Sequence, residues 1–261
     1  MRLLHAALVL TLVFANIVAV SKAQSASVDQ KGAAVLQQVM AASGAATNPV
    51  RGFTAAGTIT YYWAGQPVQG SAMIRARGSD QFRLDASLPD GTRSYTTSQQ
   101  GGLRKSADGK VSAIPVHNTL GATILTLPYP AIAAALSDPA STITSFGLVN
   151  AGGKTAYQIR VTRTFAKQSD PDGTLSRLSG VDYYIDPQTF LVLRTEDLTH
   201  PVQSLSESYS HSIEFEQYTV MSGLAVPTLV REKVARQTTW EFQLSSITLN
   251  SSFSDSDFAL Q

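Results

Sequence analysis

Apolar and polar residues alternate along most of the chain, most regularly from Ser179 to Leu260. A period of two marks a strand with one dry and one wet face. Val181, Tyr183 and Ile185 fall on one side of their segment, with Asp182, Tyr184 and Asp186 on the other. Ile213 and Phe215 oppose Glu214 and Glu216, while Trp240, Phe242 and Leu244 oppose Glu241, Gln243 and Ser245. Short turns separate these runs at Asp186-Pro187-Gln188, Ser222-Gly223 and Ala235-Arg236-Gln237. Connections this short join antiparallel neighbours, since a parallel crossover needs a dozen residues or more. The C-terminal third therefore reads as a meander with one apolar face.

The same period begins at Phe53. Phe53–Trp63 and Pro67–Arg77 read as a hairpin turned at Ala64-Gly65-Gln66, and Asp80–Leu88 follows with Phe82 and Leu84 inward. Asp90-Gly91 and Asp108-Gly109 are hairpin turns, because glycine adopts the positive φ that tight turns require. They bracket Thr92–Gln99 and a weaker strand near Leu103, and Lys110–Pro115 closes this first meander. A further hairpin joins Ile143–Val149 to Lys154–Phe165.

Two segments depart from that period. Ser27–Ala42 places Val35, Leu36, Val39 and Met40 on one helical face, with Ser27 as cap, Gln30 completing a capping box and Gly44 as the stop. Leu120–Leu136 is apolar on nearly every side, holds Pro128 and Pro130 around Tyr129, and predicts a short buried helix over Ile132–Leu136. The fold class is thus mainly β with helical insertions (α+β). About eleven antiparallel strands form one sheet, and a sheet of that width must curl. The expected architecture is an open half-barrel covered on its concave, apolar side by the N-terminal and central helices.

The first residues bear on location. Arg2, the apolar run Ala6–Val20 and the small residues around Ser21-Lys22-Ala23 form an export signal. Residues 1–23 are expected to be cleaved and residues 24–261 to form a single domain, exported to the periplasm or secreted. Cleavage removes Arg2 and Lys22 and no acid, so 20 basic and 19 acidic residues become 18 and 19. A near-neutral chain with no basic stripe is not a nucleic-acid binder. With no second apolar span, the cleaved chain is not expected to be an integral membrane protein. Cysteine is absent, which rules out disulfides, thiolate metal sites and a thiol nucleophile.

Motifs that carry chemistry are missing. His117, His200 and His211 show no metal-ligand spacing, and no Gly-Xaa-Ser-Xaa-Gly elbow or phosphate-cradling glycine loop occurs. Asp170-Pro171-Asp172-Gly173 resembles part of a calcium loop but lacks the third acidic ligand and the closing glutamate. Glu214, Glu216 and Glu241 read as a solvated sheet face. No catalytic residue, metal or cofactor is assigned, and the chain is read as a non-enzyme; a carboxylate hydrolase is the reading that a cavity lined by acids would favour.

The order of a capped helix, a meander, a helical insertion and a second meander resembles the LolA/LolB-like superfamily of lipoprotein carriers, which includes RseB-related envelope-stress regulators. The likeness is strongest over Val181–Leu260, in YYIDPQTFLVLRTE, SIEFEQYTVMSGLAVPTLVREKV and ITLNSSFSDSDF. It implies an open barrel whose helices cover an apolar cavity, in which the carriers hold acyl chains. The expected function is a carrier or sensor binding a lipid or the acyl chain of a lipoprotein. A protein-interaction or envelope-stress module without lipid cargo, and with an envelope protein as partner, is the alternative. By strand position, the expected cavity lining is Tyr61, Trp63, Tyr183, Phe215, Trp240 and Phe242, and the expected lid is Leu36, Val39, Met40, Ile132 and Leu136.

Overall fold

The computed structural model of the protein describes residues 29–63, 66–98, 100–120 and 125–260, without the side chain of Trp63. The export signal expected over 1–23, the cap expected at Ser27 and the turn residues Ala64 and Gly65 lie outside the described residues.

Thirteen strands form one antiparallel sheet, a wider sheet than the eleven or so expected. The first run is β1 (Gly52–Trp63), β2 (Gln66–Arg77), β3 (Gln81–Leu88), β4 (Gly91–Ser98), β5 (Gly101–Lys105) and β6 (Val111–Ile114). The second is β7 (Ser141–Ala151), β8 (Lys154–Arg163), β9 (Val181–Ile185), β10 (Val192–Thr199), β11 (Tyr209–Met221), β12 (Leu224–Val234) and β13 (Gln237–Leu249). The spatial order is β6-β5-β4-β3-β2-β1-β13-β12-β11-β10-β9-β8-β7. The chain therefore meanders outward from β1 to one edge, crosses to the far edge, and meanders back until β13 pairs with β1. β6 and β7 are unpaired edges, so the sheet curls without closing. Register shifts at Ala56/Gly57, Ser145/Gly147, Val192/Arg194 and Glu232/Lys233 sharpen its twist.

Among the described residues, three α-helices accompany the sheet: α1 (Gln30–Ala42), α2 (Tyr129–Ser137) and the five-residue α3 (Thr174–Leu178). Asp29 is the N-cap of α1, accepting from the Lys31 amide at 2.9 Å. Gln30 is then the first helical residue rather than a partner in a capping box. The other Asp29 oxygen accepts from the Ser145 amide of β7 at 3.1 Å, and the Asp29 amide donates to the Ile143 carbonyl at 3.1 Å. At the far end, Ala225 of β12 donates to the Ser43 carbonyl at 2.8 Å, and Asn48 donates to the Ser222 carbonyl at 2.9 Å. Gly44 (φ +82°) ends the helix so tightly against this turn that a Cβ there would lie 2.3 Å from the Gly223 oxygen. α1 thus spans the concave side from one edge strand to the β11–β12 hairpin. Leu36 and Val39 are fully buried beneath it, in one cluster with Phe53, Ile59, Phe82, Ile132, Phe215 and Phe242.

One local expectation is corrected. Alternation left Asp182 and Tyr184 on a wet face, yet every residue of β9 is buried. Arg160 clamps the Asp182 carboxylate with bonds of 3.0 and 2.6 Å, and the Arg194 guanidinium lies 4.3 Å from the Tyr184 ring centroid. The loop resembling a calcium site buries Asp170, whose carboxylate accepts from the Leu175 and Ser176 amides at 2.9 Å each and from the Ser176 hydroxyl at 2.6 Å. Its oxygens fasten the start of α3 and are not presented to a cation.

Candidate functional site

The core fills only one end of the curled sheet. At the other end lies a cavity of about 980 Å³. Cross-strand register sets its walls. Tyr61 of β1 faces Trp240 of β13, and Leu84 of β3 faces Tyr95 of β4. These four side chains stand on β4, β3, β1 and β13 and, with Val181 and Leu125, contribute to the apolar lining. A smaller cavity of about 160 Å³ lies between α2 and the β7–β9 end, where Ala131, Ala135, Val161 and Tyr183 meet.

The roof of the larger cavity is the crossover between the two edges. Pro115, His117, Asn118, Leu120 and Leu125 of this segment all line it. Asn118 clips the roof to the end of β10: its amide donates to the His200 carbonyl at 2.7 Å, and its oxygen accepts from the His200 amide at 2.9 Å. One side chain here reproduces the paired bonds that two strands would make.

The lining is not uniformly apolar. Asp197 of β10, His211 of β11 and Glu232 of β12 form a charged cluster on the concave face. His211 Nδ1 bonds to Asp197, His211 Nε2 lies 3.2 Å from Glu232, and the Thr239 hydroxyl donates to Glu232. Burial alone would depress the imidazole, but the charge and hydrogen bond of Asp197, joined by those of Glu232, outweigh it and hold its pKa at about 10. The cluster is an imidazolium between two carboxylates at neutral pH. Burial, with the Glu232 charge, pushes Tyr61 up to about 12, so its hydroxyl stays neutral. Burial, then the neighbouring His200, lowers the pKa of His117. Among the described residues, no group of three or more histidines and acids is arranged to hold a metal ion.

Of the residues expected to line a cavity, Tyr61 and Trp240 stand on the wall of the larger one and Tyr183 on that of the smaller. Phe215 and Phe242 lie in the filled end, exposed by 2 % and 0 %. The side chain of Trp63 lies outside the described residues. Leu36, Val39 and Ile132 are fully buried in that same filled end, with Met40 and Leu136 packed against it. The helices therefore cover the packed half, and the crossover covers the hollow one. Sequence reasoning did not anticipate Leu84, Tyr95, His117, Asp197 or Glu232 at the cavity. Leu84 and Tyr95 were readable as one face of a hairpin; the charged residues meet only through strand register.

An open, helix-covered half-barrel with a hollow at one end is a LolA-like fold. Solved structures bear this out. The chain matches a candidate outer-membrane lipoprotein-sorting domain from Vibrio parahaemolyticus at 11% identity and a TM-score of 0.52, covering 87% of this chain and 96% of that one. It matches a LolA superfamily protein from Nitrosomonas europaea at 9% identity and a TM-score of 0.54, over 88% and 97%. A DUF1329 family protein from Desulfovibrio piger matches at 12% identity and a TM-score of 0.55, over 88% and 96%. No family model matches the chain, and no curated protein matches it. At these identities the likeness speaks for the fold.

Proposed function

We propose that the protein is an exported, non-enzymatic carrier or sensor that binds a lipid, or the acyl chain of a lipoprotein, in the larger cavity. The observation that carries this reading is a hollow of about 980 Å³ whose wall includes Tyr61, Leu84, Tyr95 and Trp240. That volume lies in the range of small-molecule sites. Each methylene moved from water into such a place is worth about 0.8 kcal/mol, so ten give about 8 kcal/mol before ordering costs. Binding of this kind needs no reacting group. Exchange of cargo would require the Asn118 clip and the Thr119 hydroxyl bond to the Ser98 carbonyl to part. The fold shared with a LolA superfamily protein supports the reading. So does the N-terminal pattern of an export signal, which fits a periplasmic or secreted protein; N-terminal sequencing of the mature form should start at Gln24.

The test is native mass spectrometry of protein taken gently from its own compartment. A co-purified lipid mass is expected, together with enhanced fluorescence of an apolar probe on the stripped protein. Absence of both sinks the carrier reading. A second reading rests on β7, an unpaired edge whose Phe146 and Leu148 are 51 % and 57 % exposed. An edge of this kind can take an added strand from an envelope protein. A stoichiometric protein partner recovered without lipid would favour it.

A further inference from the structure

His200 is 7 % exposed, and its imidazole lines the larger cavity. Its Nδ1 lies 2.7 Å from the Glu207 carbonyl. A carbonyl has no proton to give, so Nδ1 carries the hydrogen and, in the neutral ring, Nε2 carries a lone pair. That Nε2 is buried and, among the described residues, has no hydrogen-bond partner. The His117 ring meets it edge to face, with centroids 6.0 Å apart and planes at 82°, and the His117 Nε2 is buried without a partner too. Buried polar atoms in a folded protein are normally paired, so two orphans side by side in one hollow call for an occupant.

The neighbouring charges narrow what that occupant is. Arg104 of β5 pairs in register with Tyr95 and lines the cavity at its exposed mouth; among the described residues its guanidinium has no hydrogen bond or ion pair. Other charges of the lining are already matched, His211 with Asp197 and Glu232 across β10–β12, and Arg93 of the neighbouring β4 with Asp90. The polar end of a ligand is thus drawn to the histidine side, and its tail to Trp240 and Leu84.

We propose that His117, His200 and Arg104 form a head-group site and that the cargo is a long-chain carboxylic acid. This rests on the apolar-cargo reading above and specifies it. A carboxyl group supplies what each partner lacks: one O–H proton for the His200 lone pair and oxygens to accept from the Arg104 guanidinium. Whether that proton rests on oxygen or on Nε2, the pair has the same composition and the same hydrogen bond. A methyl ester has the same tail and an acceptor, but no proton to give.

Titration calorimetry on the stripped mature chain, with hexadecanoic acid and its methyl ester, separates the two ideas. The acid should bind at least tenfold more tightly than the ester, about 1.4 kcal/mol. Arg104→Ala and His117→Phe should each bring that ratio below about threefold, with the loss falling on the acid. His200→Phe should do the same; if it fails to fold, the mouth residue Arg104 carries the test. Equal affinity of the native protein for acid and ester overturns the head-group site and leaves the carrier reading standing. Binding of neither ligand removes both.

Discussion

His211 is a cation held between two acids on the face where alternation predicts only apolar side chains. Its raised pKa makes a pH dependence with a definite sign. An imidazole with a pKa of about 10 when folded, against about 6.5 unfolded, contributes stability that is whole below about pH 6.5 and is lost as pH climbs toward 10. Denaturant midpoints should therefore fall between pH 7 and pH 9.5, and fall less in a triple variant carrying Asp197→Asn, His211→Gln and Glu232→Gln. A midpoint that falls equally in both would detach the effect from this cluster. His211→Gln alone leaves two carboxylates without their cation and should cost about 3 kcal/mol, near the lower end for breaking a buried ion pair. The lower end applies because Asp197 and Glu232 keep 21% and 19% of their side-chain surface exposed. The sequence revealed Tyr61 and Trp240 as inward residues because faces follow from alternation within one strand. It did not reveal this cluster, whose partners stand 14 and 21 residues from His211. They meet through the pairing of β10, β11 and β12 beside a register shift at Glu232/Lys233, and a single strand's pattern carries neither.

The strands were legible nearly end to end, and what the sequence could not supply was how elements are tied to one another. Asp29 shows why. From the sequence Ser27 serves as well for a cap, but only Asp29 has a second oxygen for the Ser145 amide of β7. Asp29→Asn keeps one acceptor, whereas Asp29→Ala removes both; thermal unfolding should show a loss of about 1 kcal/mol or more for alanine and less for asparagine. Asn118 is the same kind of residue in the roof. Asn118→Ala should cost no more than about 2 kcal/mol of global stability, since two exchanged bonds are each worth roughly 1 kcal/mol against water. Amide exchange over 115–120 should nevertheless quicken markedly, because these paired bonds tie the segment to the end of β10. Unchanged protection there would mean the roof is held by packing alone. Gly57 marks the bulge between β1 and β13, where a Cβ would lie 2.2 Å from the Gln243 oxygen. Gly57→Ala should destabilise by about 2 kcal/mol, the usual result of overfilling a tight contact.

On the scale of the whole molecule, a single concave surface is divided between two tasks. α1 and α2 seal one end of it, where Phe242 and Phe215 are buried as in any close-packed core. The crossover roofs the other end over a hollow lined by Trp240 and Tyr61. Alternation made the apolar face legible but could not make this division legible, because Trp240 and Phe242 are neighbours on the same face of β13 and carry the same pattern. What separates them is which insertion lies above each, a matter of topology. Their substitution should separate them as well. Phe242→Ala opens a void with packed atoms on every side, so denaturation should report a loss of about 3–5 kcal/mol. Trp240 already borders empty space on one side and has fewer contacts to lose, so Trp240→Ala should cost distinctly less stability. The order should reverse for an apolar fluorescent probe. Its affinity should fall about fivefold or more with Trp240→Ala, because the wall it would press against is gone. Measured at a temperature where both variants are folded, Phe242→Ala should leave it within about twofold. If Phe242→Ala weakened the probe more than Trp240→Ala, the hollow end would not be where apolar cargo sits, and the division of the concave face into a packed half and a binding half would have to be given up.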